Sequence, residues 1–250
     1  MTAARDEYLR RRFQPRPADL EYLILSDLRM WIGRFATAER LAILDYGADR
    51  SPYRSLFPSS DYRRADLGGE GAEHYVIEAD GTVPEADARF DLVLSSQVAE
   101  HVESPATYLS ECFRLLRPGG RLLLSTHGSF EDHAFPTDYQ RWTGQGLERD
   151  LRRAGFEVLS LEKLTIGPRA VLHQIERCLG STFVSRRTPA GFLLWVTRSV
   201  HGALRPLLNR LADRWLAAWR VAPGRDAEHT FYIGLAAVAL RPPEAKGDAV

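Results

Sequence analysis

Apolar residues along this chain follow two rhythms, a helical period and short unbroken runs, and the two alternate from residue 41 onward. Before that point the pattern is helical alone. Residues 1–14 are charged and predict a helix that Pro15 and Pro17 end. Over 19–35, Leu20, Leu23, Ile24, Leu28, Trp31 and Ile32 recur at helical spacing, so that 1–38 read as an N-terminal helical cap. Residues 41–45 then form an apolar run closing on an acid just before Gly47, the pattern of a buried parallel strand entering a tight turn. Shorter runs at 62–65, before Asp66, and at 75–77, before Glu78, predict the second and third strands. The fourth is 90–95. A helix over 105–116 follows, opened by Pro105 and stopped by Pro118-Gly119-Gly120, and 121–125 is the fifth strand. A helix over 147–154, capped by Gly155, leads into an alternating sixth strand over 156–164, and 231–240 is the last. Such alternation predicts an α/β fold, an open and mostly parallel sheet covered on both faces, with ligands at the carboxyl ends of its strands.

Residues 165–228 have a different character. From Phe192 to Trp219 an apolar stripe includes Trp195, Val200, Leu204, Leu207, Leu211 and Trp215, with Arg198, Arg205, Arg210 and Arg214 off it and Pro206 dividing the run into two predicted helices. This helical insertion reads as a subdomain packed on the sheet. A substrate lid, a homodimer interface and a peripheral contact with anionic lipid are its other readings. The core domain is then 39–164 with 229–242, and the polar tail 243–250 is expected to be disordered.

Composition narrows the function classes. Thirty-three Lys+Arg balance 33 Asp+Glu, so no global positive field exists to attract nucleic acid. Apolar runs such as Phe192-Leu-Leu-Trp-Val196 fall far short of the roughly 20 residues of a transmembrane helix. With acids at the N-terminus in place of an apolar secretion signal, and only Cys112 and Cys178, the expected setting is a reducing cytoplasm.

Three segments carry a recognisable pattern: Ile43-Leu-Asp-Tyr-Gly-Ala-Asp-Arg-Ser, Phe90-Asp-Leu-Val-Leu-Ser-Ser-Gln-Val-Ala-Glu-His, and Arg117-Pro-Gly-Gly-Arg-Leu-Leu-Leu-Ser. In that order and spacing they resemble the class I S-adenosylmethionine-dependent methyltransferases, over about residues 41–165 and the last strand. The stretch 127–143 further resembles small methyltransferases of polysaccharide and secondary-metabolite synthesis. The resemblance implies a Rossmann-like, seven-stranded sheet whose last strand is antiparallel. It also implies a cofactor site. Tyr46, Gly47 and Ala48 would turn beside the methionine part, Asp66 and Leu67 would meet the ribose, Asp80 and Gly81 the adenine, and Ser96 and Gln97 would expose their backbone to the same crevice. One departure stands out, because Asp49 and Ser51 occupy places where the family loop carries glycine.

Histidines are the candidate bases. His127 and His133 fall where a substrate would approach the transferable methyl, and a neutral imidazole there can take a proton from an attacking hydroxyl or amine. His101, beside Glu100, matches a family position at the floor of the site. Asp138, Tyr139, Arg141 and Trp142 are candidate substrate contacts, or anchors of the loop that holds them. The spacing of His127, Asp132 and His133 matches no standard zinc motif, so no metal is expected. Phosphate-loop, nucleophile-elbow and dinucleotide fingerprints are missing from the sequence. The expected function is methyl transfer from S-adenosylmethionine to an oxygen or nitrogen of a small molecule, such as a sugar, a lipid-linked group or a natural-product intermediate. The alternative is the same fold turned to a cyclase, an isomerase or a non-catalytic partner protein.

Overall fold

The computed structural model describes residues 2–48, 50–68, 71, 73–133, 137–181, 186–223 and 230–244. Helices α1 (Thr2–Phe13) and α2 (Tyr22–Gly33) precede a sheet of β1 (Ala42–Tyr46), β2 (Asp61–Asp66), β3 (His74–Val76), β4 (Phe90–Ser96), β5 (Leu116–His127), β6 (Glu157–Ile166), β7 (Val221–Pro223) and β8 (Tyr232–Leu240). Helix α3 (Pro105–Leu115) links β4 to β5, α4 (Gly144–Arg153) lies between β5 and β6, and α5 (Gly167–Ser181) and α6 (Pro189–Trp215) follow β6. The strands pair in the order β3-β2-β1-β4-β5-β8-β6-β7. Strands β1 to β5 run parallel, whereas β8 is antiparallel to both β5 and β6. Strand order reverses between β1 and β4, so their carboxyl ends flank the crevice where open sheets of this kind bind ligands.

The sheet has eight strands where seven are expected. The additional one, β7, pairs antiparallel with β6 at the sheet edge, inside the stretch read as a helical insertion. Three residues are too few to carry a readable period, and a proline is tolerated at an edge because no further strand needs its donor. Helix α6 likewise runs straight through Pro206 rather than breaking there. Gly202, whose carbonyl loses its amide partner to Pro206, is itself partly exposed, so solvent can meet that carbonyl. Residues 245–250, most of the expected tail, lie outside the described residues.

Neighbouring strand residues face opposite ways, which divides the core in two. On one face Leu44, Val93, Leu122, Leu124 and Leu235 pack with Tyr108, Cys112 and Leu115 of α3 and with Leu147 and Leu151 of α4. On the other, Ile43, Leu92, Leu94, Leu123 and Ala236 pack with Ile24, Leu28, Trp31 and Ile32 of α2. The helical cap is thus an integral layer of the sheet. Helix α6 behaves otherwise. Its buried residues are Gly191, Asn209 and Ala212, while Leu193, Val200, Leu204, Leu207 and Trp215 are exposed. Most of the apolar stripe faces solvent, and the helix is held by a small apolar contact of Ala212 with Tyr22 and Leu23 together with polar contacts such as Asn209 Nδ2 donating to the carbonyl of Pro17 at 2.8 Å. No helix among the described residues is long and apolar enough to cross a membrane.

Candidate active site

A cleft of about 1300 Å³ opens at the carboxyl ends of β1, β2, β3 and β4. Seven of the nine residues expected to hold a cofactor line it: Tyr46, Gly47, Asp66, Leu67, Asp80, Gly81 and Gln97. The other two do not. Ala48 is buried beneath the turn, and Ser96 ends β4 with Ser125 Oγ 3.5 Å from its hydroxyl. Asp49 lies outside the described residues, and Ser51 adopts a φ of 50°, the left-handed conformation that glycine would take without strain.

Gly47 shows why this turn tolerates no side chain. Its φ is +69°, and a Cβ built on it would fall 2.4 Å from Cγ2 of Val98. The turn is pinned from below, since the amides of Gly47 and Ala48 both donate to the carbonyl of Ala65, at 2.8 and 3.1 Å. Across the cleft the Tyr46 hydroxyl donates to the carbonyl of Gly81 at 2.7 Å, tying the loops after β1 and β3 together. Asp80 accepts from both the hydroxyl and the amide of Thr82, at 2.7 and 3.0 Å, and these bonds hold its carboxyl below the usual range. Gln97 sits at φ +58°, a strained conformation for a non-glycine residue, with its amide donating to Ser125 at 2.9 Å.

Of the three histidines, only His101 lines the cleft. Its Nδ1 lies 2.8 Å from the carbonyl of Thr137, which fixes the proton on Nδ1 and leaves Nε2 as the acceptor. His127 ends β5 almost fully buried, outside the cleft, with Nε2 3.3 Å from Oε1 of Glu100. Burial, with His133 and Arg141 nearby, pushes its pKa well below the ordinary value, so this imidazole is neutral. Glu100 is fully buried, and burial pushes its carboxyl up, although Thr126 Oγ1 donates to its Oε2 at 2.8 Å. His133 bridges the two, its ring stacked on His101 at 4.8 Å and edge-on to His127 at 5.2 Å.

The expected substrate contacts serve their own loop. Arg141 donates twice to Asp138 and holds its carboxyl well below the usual carboxylate range, while Asp138 also accepts from the amide of His133 at 3.0 Å. Trp142 is buried in the core, its Nε1 donating to Asp150 of α4 at 3.1 Å, and Tyr139 is half-exposed. None of the four lines the cleft. Sequence reasoning missed Tyr8 and Arg12, which reach the cleft from α1, with the Arg12 guanidinium 5.4 Å from the Tyr8 ring centre. A basic run on a charged helix reads as a solvated face, and no local signal distinguishes it.

Comparison with known proteins agrees with this architecture. Residues 38–124 match a methyltransferase-domain family. Residues 38–124 of this chain thus carry a methyltransferase domain. A protein of Mycolicibacterium smegmatis, named as a probable S-adenosylmethionine-dependent methyltransferase, is 38% identical over 128 residues, which are 48% of this chain and 45% of that one. The matched stretch thus spans under half of that relative. An uncharacterized methyltransferase of Mycolicibacterium gilvum is 26% identical over 230 residues, 85% of this chain and 81% of that one. In fold, the [4+2]-cyclase SpnF aligns with a TM-score of 0.54 at 17% identity, over 89% of this chain and 83% of that one.

Proposed function

We propose that this methyltransferase moves a methyl group from S-adenosylmethionine to an oxygen or nitrogen of a small molecule, in the cytoplasm, and that the cleft is where it does so. The observation carrying the reading is the pairing of the Gly47 turn with the Asp66 carboxylate, at the ends of adjacent strands and open to one cleft. The residues present fit the cofactor: a backbone turn that a Cβ would block, and a carboxylate positioned to accept from ribose hydroxyls. Bound there, the cofactor supplies an electrophilic methyl. The chain's own residues do the rest. Asp66 and Gly47 bind, the Tyr46–Gly81 bond keeps the two loops at fixed separation, and Tyr8 and Arg12 of α1 help exclude water. His101 Nε2 is the base we assign, because of the three candidate imidazoles His101, His127 and His133 it is the one that lines the cleft, whereas His127 is buried behind it. A sugar, a lipid-linked group or a natural-product intermediate is the proposed acceptor class.

Calorimetric titration of the ligand-free protein tests the first half, with S-adenosylmethionine and S-adenosylhomocysteine expected to bind at about micromolar Kd or tighter, near −8 kcal/mol. No binding overturns the reading and favours a repurposed fold, a cyclase, isomerase or non-catalytic partner. Asp66→Ala is expected to weaken both ligands by roughly 1–3 kcal/mol, the usual loss when one partner of a hydrogen bond that the bound ligand covers is removed. Unchanged affinity removes Asp66 from the site. For the base, His101→Ala should leave cofactor affinity intact and lower kcat by about a hundredfold, followed as S-adenosylhomocysteine release with an accepted hydroxyl or amine substrate. Full turnover would exclude it.

A further inference from the structure

Behind His101 the chain brings together three side chains that sequence spacing does not link. Glu100 comes from the 3-10 turn at Ala99–His101, His127 from the last residue of β5, and His133 from the loop beyond it. One ligand atom from each lies within 4.8 Å of the others. Two of the three are almost entirely buried, and their polar atoms go begging: Glu100 Oε1 and His127 Nδ1 have no hydrogen-bond partner. A buried carboxylate oxygen left unpaired is costly, and native chains rarely leave one without a reason.

We propose that Glu100, His127 and His133 form a binding site for a divalent transition-metal ion of the zinc type. Two imidazoles and one carboxylate are the donor set that suits such ions, whereas magnesium and calcium require more oxygens. The surrounding residues have the character of an outer shell that orients ligands. Thr126 Oγ1 holds the far oxygen of Glu100 at 2.8 Å, leaving Oε1 directed at His127, and Asp138 Oδ2 stands 3.1 Å from Nδ1 of His133. The site is closed on its core side by Glu100 and His127, while the His133 side chain is 30% exposed. That asymmetry leaves an open coordination position on the side where His133 stacks on the cleft residue His101. Ion binding by these three side chains stands apart from methyl transfer. Its use, to lower the pKa of an acceptor hydroxyl at the open position, rests on the methyl-transfer reading.

The test uses the full-length protein, stripped with chelator and titrated without S-adenosylmethionine. Zn²⁺ is expected to bind at one equivalent per chain by calorimetry, and Co²⁺ in its place should give visible d–d absorption of a low-coordinate site. His133→Ala, a change on a partly exposed loop residue, should weaken Zn²⁺ by at least about a hundredfold, since even outer-shell changes cost 10- to 100-fold. His201→Asn, on the distant helix α6, should change nothing. Sub-stoichiometric binding by the parent chain, or full affinity retained in His133→Ala with native circular dichroism, overturns the proposal. Because cofactor is left out, neither result depends on whether the cleft binds S-adenosylmethionine.

Discussion

Asp27→Ala is expected to destabilise the fold by about 3–5 kcal/mol, lowering Tm by on the order of 10 °C. Asp27 lies on α2 with no exposed surface, and it accepts from Thr165 of β6 at 2.8 Å, from Arg169 of α5 at 2.8 and 2.9 Å, and from Arg220, just before β7, at 2.7 Å. Asp213 of α6 completes the group, accepting from Arg169 at 3.1 Å and also from Arg220 and the Tyr22 hydroxyl. Helices α2 and α5, strand β6 and the residue before β7 therefore meet at one buried carboxylate, and α6 joins the group through Arg169 and Arg220. Removing it leaves Arg169, itself fully buried, short of its principal counter-charge, and breaking a buried pair costs far more than a surface one because the orphaned ion stays desolvated. Thr165 adds a second cost. It is held at φ +51°, a conformation β-branched residues avoid, and its hydroxyl bond to Asp27 helps keep it there. Chemical denaturation of both proteins measures the difference; a loss below about 1 kcal/mol would mean that this hub contributes little and that apolar packing of α2 alone holds the cap.

That hub marks the limit of what the sequence discloses. Strands β1, β4 and β5 are the legible ones, because each holds a largely apolar run ending in Asp or Ser at a turn, whereas Arg63 and Arg64 interrupt β2 and β3 is three residues long; the acid-and-glycine endings point straight at the cleft. Tyr46, Gly47, Asp66, Asp80 and Gln97 were readable for that reason, since Tyr46 and Asp66 end β1 and β2, Gly47 and Gln97 come directly after β1 and β4, and Asp80 lies four residues beyond β3. The later part of the chain is less transparent. In α6 the apolar stripe has a clear helical period, yet the structure turns it outward and packs the helix through Asn209 and Ala212, because the ionic group around Asp27 and Asp213 fixes the helix by its polar side. Periodicity tells which residues share a face and not which face is chosen. The histidine cluster is hidden for a different reason: Glu100, His127 and His133 come from two crossings of the sheet edge, and their approach follows from the β4–β5 register that places Ser96 against Ser125. No spacing rule along one segment can anticipate it.

Asp45→Asn is expected to flatten the pH dependence of stability between about pH 4 and 7, and to make the chain more stable at about pH 8. Asp45 is in β1, two residues before Gly47, and is 3% exposed. Burial pushes its carboxyl up to about 7, even though the Tyr62 hydroxyl donates to Oδ2 at 2.7 Å. In the unfolded chain the same group titrates near 3.8. Between those values the folded form holds a proton that the unfolded form has lost, so rising pH favours unfolding across the window. Below the unfolded pKa the carboxyl is neutral in both states and imposes no penalty; above about 7 the penalty is complete, on the order of 4 kcal/mol for a shift of this size. Asparagine keeps the shape and still accepts from Tyr62 while carrying no charge to bury. Glu176, which burial also raises to about 7, contributes a slope of the same sign in both proteins, so the difference between parent and variant isolates Asp45. Denaturant unfolding at about pH 5 and 8 reads it directly. Parallel pH profiles for the two proteins would mean that Asp45 remains a carboxylate inside the fold, and the turn leading into Gly47 would then be built over a buried charge rather than a neutral acid.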